Sequence, residues 1–151
     1  MIRRYVVALG LATAVVIVDA VTKRWAAIEL QDNPIVIIDG FLELTYTENA
    51  GAAFGLFNNG GPILGVAAIV VTAGLVWILR VDRPGIEVVA FGLILGGAIG
   101  NLTNRIARGD GFLDGMVIDW VNLWWIPTFN VADAAITVAV GLLLVHSWLN
   151  R

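Results

Sequence analysis

Two aspartates carry the strongest chemical signal in this chain. Asp119 stands in an apolar, strand-like run, Val117-Ile118-Asp119-Trp120-Val121, where a lone carboxyl has no obvious structural purpose. Asp133 follows Asn130-Val131-Ala132 at the start of a long apolar stretch. Asn130 is suited to cap a helix there, and an acid in the first turn is favoured by the helix dipole. That structural explanation covers Asp133 and leaves Asp119 unexplained. The 14-residue separation, with Pro127 inside it, lets the chain fold back and bring both carboxyls together. Two carboxyls side by side in a low-dielectric setting cannot both ionise, so they share one proton. The ionised member can then take a proton from water attacking a peptide carbonyl, while the protonated member polarises the carbonyl oxygen. Such chemistry calls for no metal or cofactor. Spacing alone leaves this aspartic peptidase reading beside the plainer one, because acids are common at helix starts.

Other nucleophiles are scarce. There is one serine (Ser147), one histidine (His146), one lysine (Lys23) and no cysteine. A Ser-His-Asp triad would have to use the adjacent His146 and Ser147, with no acid nearby in sequence to orient the imidazole. A serine-lysine dyad would need Lys23 and Ser147, which the topology below sets on opposite membrane faces. Without cysteine there are neither disulfides nor thiolate metal sites.

The remaining polar residues fall in pairs. Asp19 and Lys23 are spaced for an i,i+4 ion pair with a snorkelling lysine near the end of an apolar helix. Asn101 and Arg105 share a helix face, where the guanidinium can hold carboxylates or peptide carbonyls, or simply answer the dipole at a helix C-terminus. Asn49 opens a loop of small residues, Asn49-Ala50-Gly51-Ala52-Ala53-Phe54-Gly55, that would let an extended peptide pass close to the backbone.

The elements that must position these groups belong to a membrane protein. Of 151 residues, 59% are apolar and 14% charged, and the mean hydropathy of +0.87 exceeds what a small water-soluble domain can bury. A net charge of -3 offers no basic footprint for nucleic acid. Apolar stretches at about 5–21, 62–79, 86–103 and 131–149 are each long enough to cross the hydrocarbon as a helix. The first is read as a retained span rather than a signal peptide, since Asp19 and Lys23 break a cleavage pattern and three more spans follow. Arg3, Arg4, Arg80, Arg83 and Arg151 gather on one side, which the positive-inside rule makes cytoplasmic, together with both termini. Most of the acids fall on the other side.

Residues 35–47, β-branched and aromatic with a turn at Asp39-Gly40, predict a small sheet lying on the membrane. Trp120, Trp124 and Trp125 are expected as interface anchors. Gly92, Gly96, Gly97 and Gly100 predict a helix face for close packing. The expected fold class is an all-α membrane protein of four transmembrane helices with a small extracytoplasmic β-sheet, in one domain over residues 1–151.

Five motifs occur in one order: Asp19-x-x-x-Lys23, Asn49-Ala-Gly-Ala-Ala-Phe54-Gly55, Gly96-Gly97-Ala-Ile-Gly100-Asn101-Leu, Val117-Ile118-Asp119, and Phe129-Asn130-Val131-Ala132-Asp133-Ala134. In order and topology they resemble bacterial lipoprotein signal peptidase (signal peptidase II). The resemblance implies an inner-membrane aspartic peptidase that cuts signal peptides from prolipoproteins just before a diacylglyceryl-modified cysteine. It implies Asp119 and Asp133 as the catalytic dyad. Asn49, Gly51, Phe54, Asn101, Arg105 and Asn130 would bind substrate, with Asp19, Lys23 and Asn104 supporting the site. The segment at about 33–57 would form an extracytoplasmic cradle and flap. Partners would be lipidated prolipoproteins and membrane lipid, with no nucleic acid, no cofactor and no metal, acting as a monomer.

One position departs from the pattern: Asn104 stands where the family carries aspartate before Arg105. That substitution keeps open a homologue that binds precursors without cutting them. A small proton-coupled carrier, with Asp19, Asp119 and Asp133 as a relay, is a further alternative, although these acids sit at the ends of spans rather than at mid-bilayer.

Overall fold

The computed structural model describes residues 2–51 and 60–151. Four helices, α1 (Ile2–Glu29), α2 (Gly61–Ile78), α3 (Gly85–Ala107) and α4 (Val131–Leu149), are each long and apolar enough to cross a membrane. Their lipid-suited character shows in exposed side chains such as Val70, Leu144 and Trp77 along their outer faces. Hydropathy locates the spans, but two helices outrun it. Helix α1 continues past Val21 to Glu29 and α3 past Thr103 to Ala107. Apolarity stops where the hydrocarbon stops, whereas backbone hydrogen bonding continues through good helix formers. Those polar extensions carry Lys23, Asn104 and Arg105.

Helix α3 is the hub and packs against each of the other three. Its glycines permit the approach. A Cβ at Gly96 would lie 2.9 Å from the Ala12 carbonyl oxygen, and one at Gly97 would lie 2.5 Å from that of Ala132. The first faces α1 and the second α4, so the small-residue stripe serves two neighbours. The core between α1, α2 and α3 holds Ala8, Ala12, Leu75, Leu79, Val88 and Leu95.

At one end of the bundle lies an open antiparallel sheet of β1 (Ile35–Ile38), β2 (Leu42–Asn49), β3 (Val117–Leu123) and β4 (Ile126–Phe129), in that spatial order. The β1–β2 turn uses Gly40 at φ +66°, where a side chain would be strained. Strand β2 runs beside β3 with Thr47 opposite Asp119 and Asn49 opposite Val117, after a register shift beyond Leu44. Strand β4 is an addition to the expected sheet: Pro127 disguises it, and an edge position tolerates the proline's missing N–H. Ala26 of the extended α1 and Leu30 just past its end pack beneath the sheet against Ile118, with Leu44, Tyr46 and Trp120 around them.

Two expectations are corrected. Trp124 and Trp125 are exposed at the β3–β4 turn, but Trp120 packs edge-on against Trp25, ring centroids 5.6 Å apart, with its indole N–H buried rather than wet. Lys23 does not snorkel; it is 2% exposed because α3 supplies a polar partner for it.

The opposite end of the bundle gathers the start of α1, the α2–α3 turn and the end of α4. Arg4 donates to the Arg80 carbonyl at 2.7 Å, and His146 Nε2 lies 3.7 Å from Glu87 Oε1. His146 and Ser147 therefore lie away from both aspartates.

Candidate active site

Asp119 reaches the site from β3, whose alternation points successive side chains to opposite faces. Ile118 and Trp120 pack toward α1, and Asp119 turns the other way, 2% exposed. Asn130 brings Asp133 to meet it. Its side-chain oxygen accepts from the Asp133 backbone N–H at 3.0 Å, and the Asp133 carboxylate accepts from the Asn130 backbone N–H at 3.3 Å. This reciprocal capping box fixes the first turn of α4. The Asn130 amide also donates to Asp119 Oδ1 at 2.6 Å. One asparagine thus touches both carboxyls and sets their spacing.

Neutral amides hold the other oxygens. Asn49 Nδ2 donates to Asp119 Oδ2 at 3.1 Å, and Asn101 Nδ2 donates to Asp133 Oδ1 at 2.7 Å. The orientation of Asn101 follows from Lys23, which is only a donor. Its Nζ lies 2.9 Å from Asn101 Oδ1, so the NH2 end must face Asp133. Lys23 pairs in turn with Asp19 at 2.7 Å, and Asp19 accepts from the Ala132 backbone N–H at 3.0 Å. Asp19 therefore ties α1 to the first turn of α4, beside Asp133.

Arg105 is buried and donates to the Gly51 carbonyl at 3.1 Å, with its charge within electrostatic reach of both aspartates. Asn104 Oδ1 accepts from the Ile118 backbone N–H at 3.2 Å, anchoring β3 one residue before Asp119. Burial, followed by the neighbouring Asp133 charge, pushes the Asp119 carboxyl from its ordinary 3.8 up to about 6. The Asn49 and Asn130 hydrogen bonds and the Lys23 charge oppose that rise. A carboxyl so placed keeps a proton well above the usual range.

Residues 11–149 match the family described as Signal peptidase (SPase) II. A lipoprotein signal peptidase of Symbiobacterium thermophilum is 41% identical over 143 residues, covering 90% of each chain. One of Chlorobium phaeobacteroides is 40% identical over 156 residues, covering 93% of each. The chain belongs to the signal peptidase II family. Family members cleave signal peptides from prolipoproteins, which makes this a peptidase of bacterial membranes. Two solved bacterial membrane enzyme structures, both obtained by the in meso method, share the fold. One, at 2.3 Å resolution, has a TM-score of 0.83 and 27% identity, covering 95% of this chain and 88% of its own. The other, at 1.9 Å resolution, has a TM-score of 0.77 and 29% identity, covering 92% and 90%.

The fold brings Asp19, Lys23, Asn49, Gly51, Asn101, Asn104, Arg105, Asp119, Asn130 and Asp133 into one connected polar cluster. Phe54 lies outside the described residues. Sequence reasoning treats Asn130 as a cap; its second task, donating to Asp119, depends on a strand 11 residues earlier in the chain and has no local signature. Tyr46, Glu48 and Arg108 also escape it. An arginine just past α3 and a glutamate in β2 look like two solvated charges until the sheet is assembled.

Proposed function

We propose that this member of the signal peptidase II family is an aspartic endopeptidase in which Asp119 and Asp133 share one proton and activate water. The observation that carries the reading is the single amide frame around both carboxyls, with Asp119 pushed up to about 6. The ionised carboxylate takes a proton as the water oxygen bonds to the scissile carbonyl carbon, and the protonated carboxyl delivers its proton to the carbonyl oxygen. When the tetrahedral intermediate collapses, the C–N bond breaks, a proton passes to the departing amine, and the dyad returns to its singly protonated form. Neither step needs a metal or cofactor.

The substrate class is a diacylglyceryl-modified prolipoprotein, cut before the lipidated cysteine. With the dyad at the ends of apolar helices, the acyl chains can stay in the bilayer while the scissile bond reaches the water boundary. Lipid binding energy then positions the peptide. Asn49, Gly51, Asn101, Arg105 and Asn130 line the peptide path. The arginines at the opposite end support a topology with both termini cytoplasmic and the dyad extracytoplasmic. Asn104 keeps the acceptor that anchors β3, which favours turnover over mere precursor binding.

The test is cleavage of a lipidated prolipoprotein by purified enzyme carrying Asp119→Asn, Asp133→Asn or both. Each single change is expected to lower kcat by about a thousandfold or more, with folding retained. Undiminished cleavage by the double variant would refute the dyad.

A further inference from the structure

Tyr46, Glu48 and Arg108, we propose, form a clamp that holds Asn49 against the Asp119 carboxylate and so act as positioning residues for the peptidase. This inference rests on the dyad reading and adds a device that serves it. The Tyr46 hydroxyl donates to Glu48 Oε1 at 2.5 Å, while Arg108 Nη2 donates to the Tyr46 hydroxyl at 3.0 Å and also to the same Glu48 oxygen. Tyr46 and Glu48 are two apart on one strand and face the same way. Arg108 is the C-terminal cap of α3.

One turn earlier on that helix, Arg105 donates to the Gly51 carbonyl. The end of α3 therefore grips the chain on both sides of Asn49, at Glu48 through charge and at Gly51 through the backbone. Between these two points the Asn49 oxygen accepts from the Gly51 N–H at 2.9 Å. That bond leaves the NH2 end to face Asp119.

The clamp stays charged at neutral pH. The Tyr46 hydrogen bond holds the Glu48 carboxyl below its usual range, and burial together with the Glu48 bond raises Tyr46 further. Both ends are reachable by solvent, with Arg108 34% and Glu48 37% exposed, so salt should weaken the grip.

A loosened clamp has a signature that a purely structural contact lacks. Asn49 stabilises ionised Asp119, so losing its alignment makes the dyad keep its shared proton to higher pH. Among the described residues, the other groups acting on Asp119 are Asp133 from α4, Lys23 from α1, Arg105 from α3 and Asn130. None of them is altered by changes at Glu48 or Arg108.

The experiment compares the full-length enzyme with Glu48→Gln, Arg108→Gln and the charge swap Glu48→Arg with Arg108→Glu, using a lipidated prolipoprotein peptide as substrate. Each single change is expected to raise KM by about twofold to fivefold, the scale of an exposed ion pair. The high-pH limb of kcat/KM should move upward in both, with kcat at the optimum and Tm little changed. The swap should recover KM and limb together. Single variants with wild-type KM and limb, or a swap that recovers neither, would overturn the clamp. Asp119→Asn and Asp133→Asn run alongside: full turnover in those variants sinks the dyad, whereas their inactivity beside unperturbed clamp variants sinks the clamp alone.

Discussion

Replacing Asn49 by alanine should make the enzyme relatively more tolerant of alkaline pH. The side chain lost is a donor to Asp119 Oδ2 at 3.1 Å, and a hydrogen bond to a charged group contributes about 1.5–3 kcal/mol. This contact is longer than the 2.6 Å bond from Asn130 to the other oxygen, so the lower end applies. About 1.5 kcal/mol corresponds to roughly one pKa unit. The sign follows from which form is stabilised. The amide favours ionised Asp119, and its removal raises the carboxyl from about 6 to roughly 7. Because the proposed dyad works singly protonated, and Asp133 ionised helps Asp119 hold the shared proton, this titration should set the high-pH limb. At neutral pH the competent fraction of the free enzyme would grow from about a tenth to about a half. The assay is kcat/KM across pH for Asn49→Ala against wild type, each curve normalised to its own maximum, since Asn49 also lines the peptide path and its loss lowers the plateau. A limb that stays in place, or moves to lower pH, would refute the proton-sharing account of Asp119.

Three further outcomes are expected. Lys23→Ala leaves Asp19 buried without its ion-pair partner and should cost about 3–5 kcal/mol of stability, whereas Lys23→Met combined with Asp19→Asn should recover most of it; unfolding in detergent measures both. Gly97→Ala sets a methyl 2.5 Å from the Ala132 carbonyl and 2.6 Å from Ile136, so α4 must shift from α3. The expected cost is about 1–3 kcal/mol with a fall in kcat, as Asn101 and Asp133 separate. Asn104→Asp keeps the acceptor for the Ile118 N–H and should cleave within about threefold of wild type, while Asn104→Ala frees β3 at an expected cost of about 1 kcal/mol and lowers activity further.

The helices were legible because the bilayer imposes a length and a polarity that few other folds share. Asp119 was legible for the opposite reason: an acid stranded in an apolar strand demands a purpose. Its proximity to Asp133 is suggested only by chain reversal and by motif order, since nothing local encodes a bridge through Asn130 between residues 14 apart. The burial of Lys23 has no local sign because its partner, Asn101, lies 78 residues away. The packing of Trp120 has no local sign because the α1 extension that carries Trp25 against it is too polar to register as a span. Strand β4 was hidden by Pro127. The Glu48–Arg108 contact joins residues 60 apart, and each alone is an ordinary solvated charge.

The choice of asparagine as the dyad's frame has a physical logic. A lysine or arginine bonded directly to Asp119 or Asp133 would stabilise the carboxylate strongly enough to strip the shared proton. Amides satisfy the buried oxygens at lower electrostatic cost and leave the pair free to hold a proton. The buried cations are kept one step away. Lys23 hydrogen-bonds Asn101 rather than Asp133, and Arg105 hydrogen-bonds the Gly51 carbonyl rather than either carboxylate. Each lends its field without closing an ion pair with the dyad. Asp19 completes the arrangement by pairing with Lys23 at 2.7 Å, which holds the ammonium where it orients Asn101. On the proposed mechanism the site releases and recaptures one proton per cycle, which calls for this separation of orienting charge from reacting carboxyl.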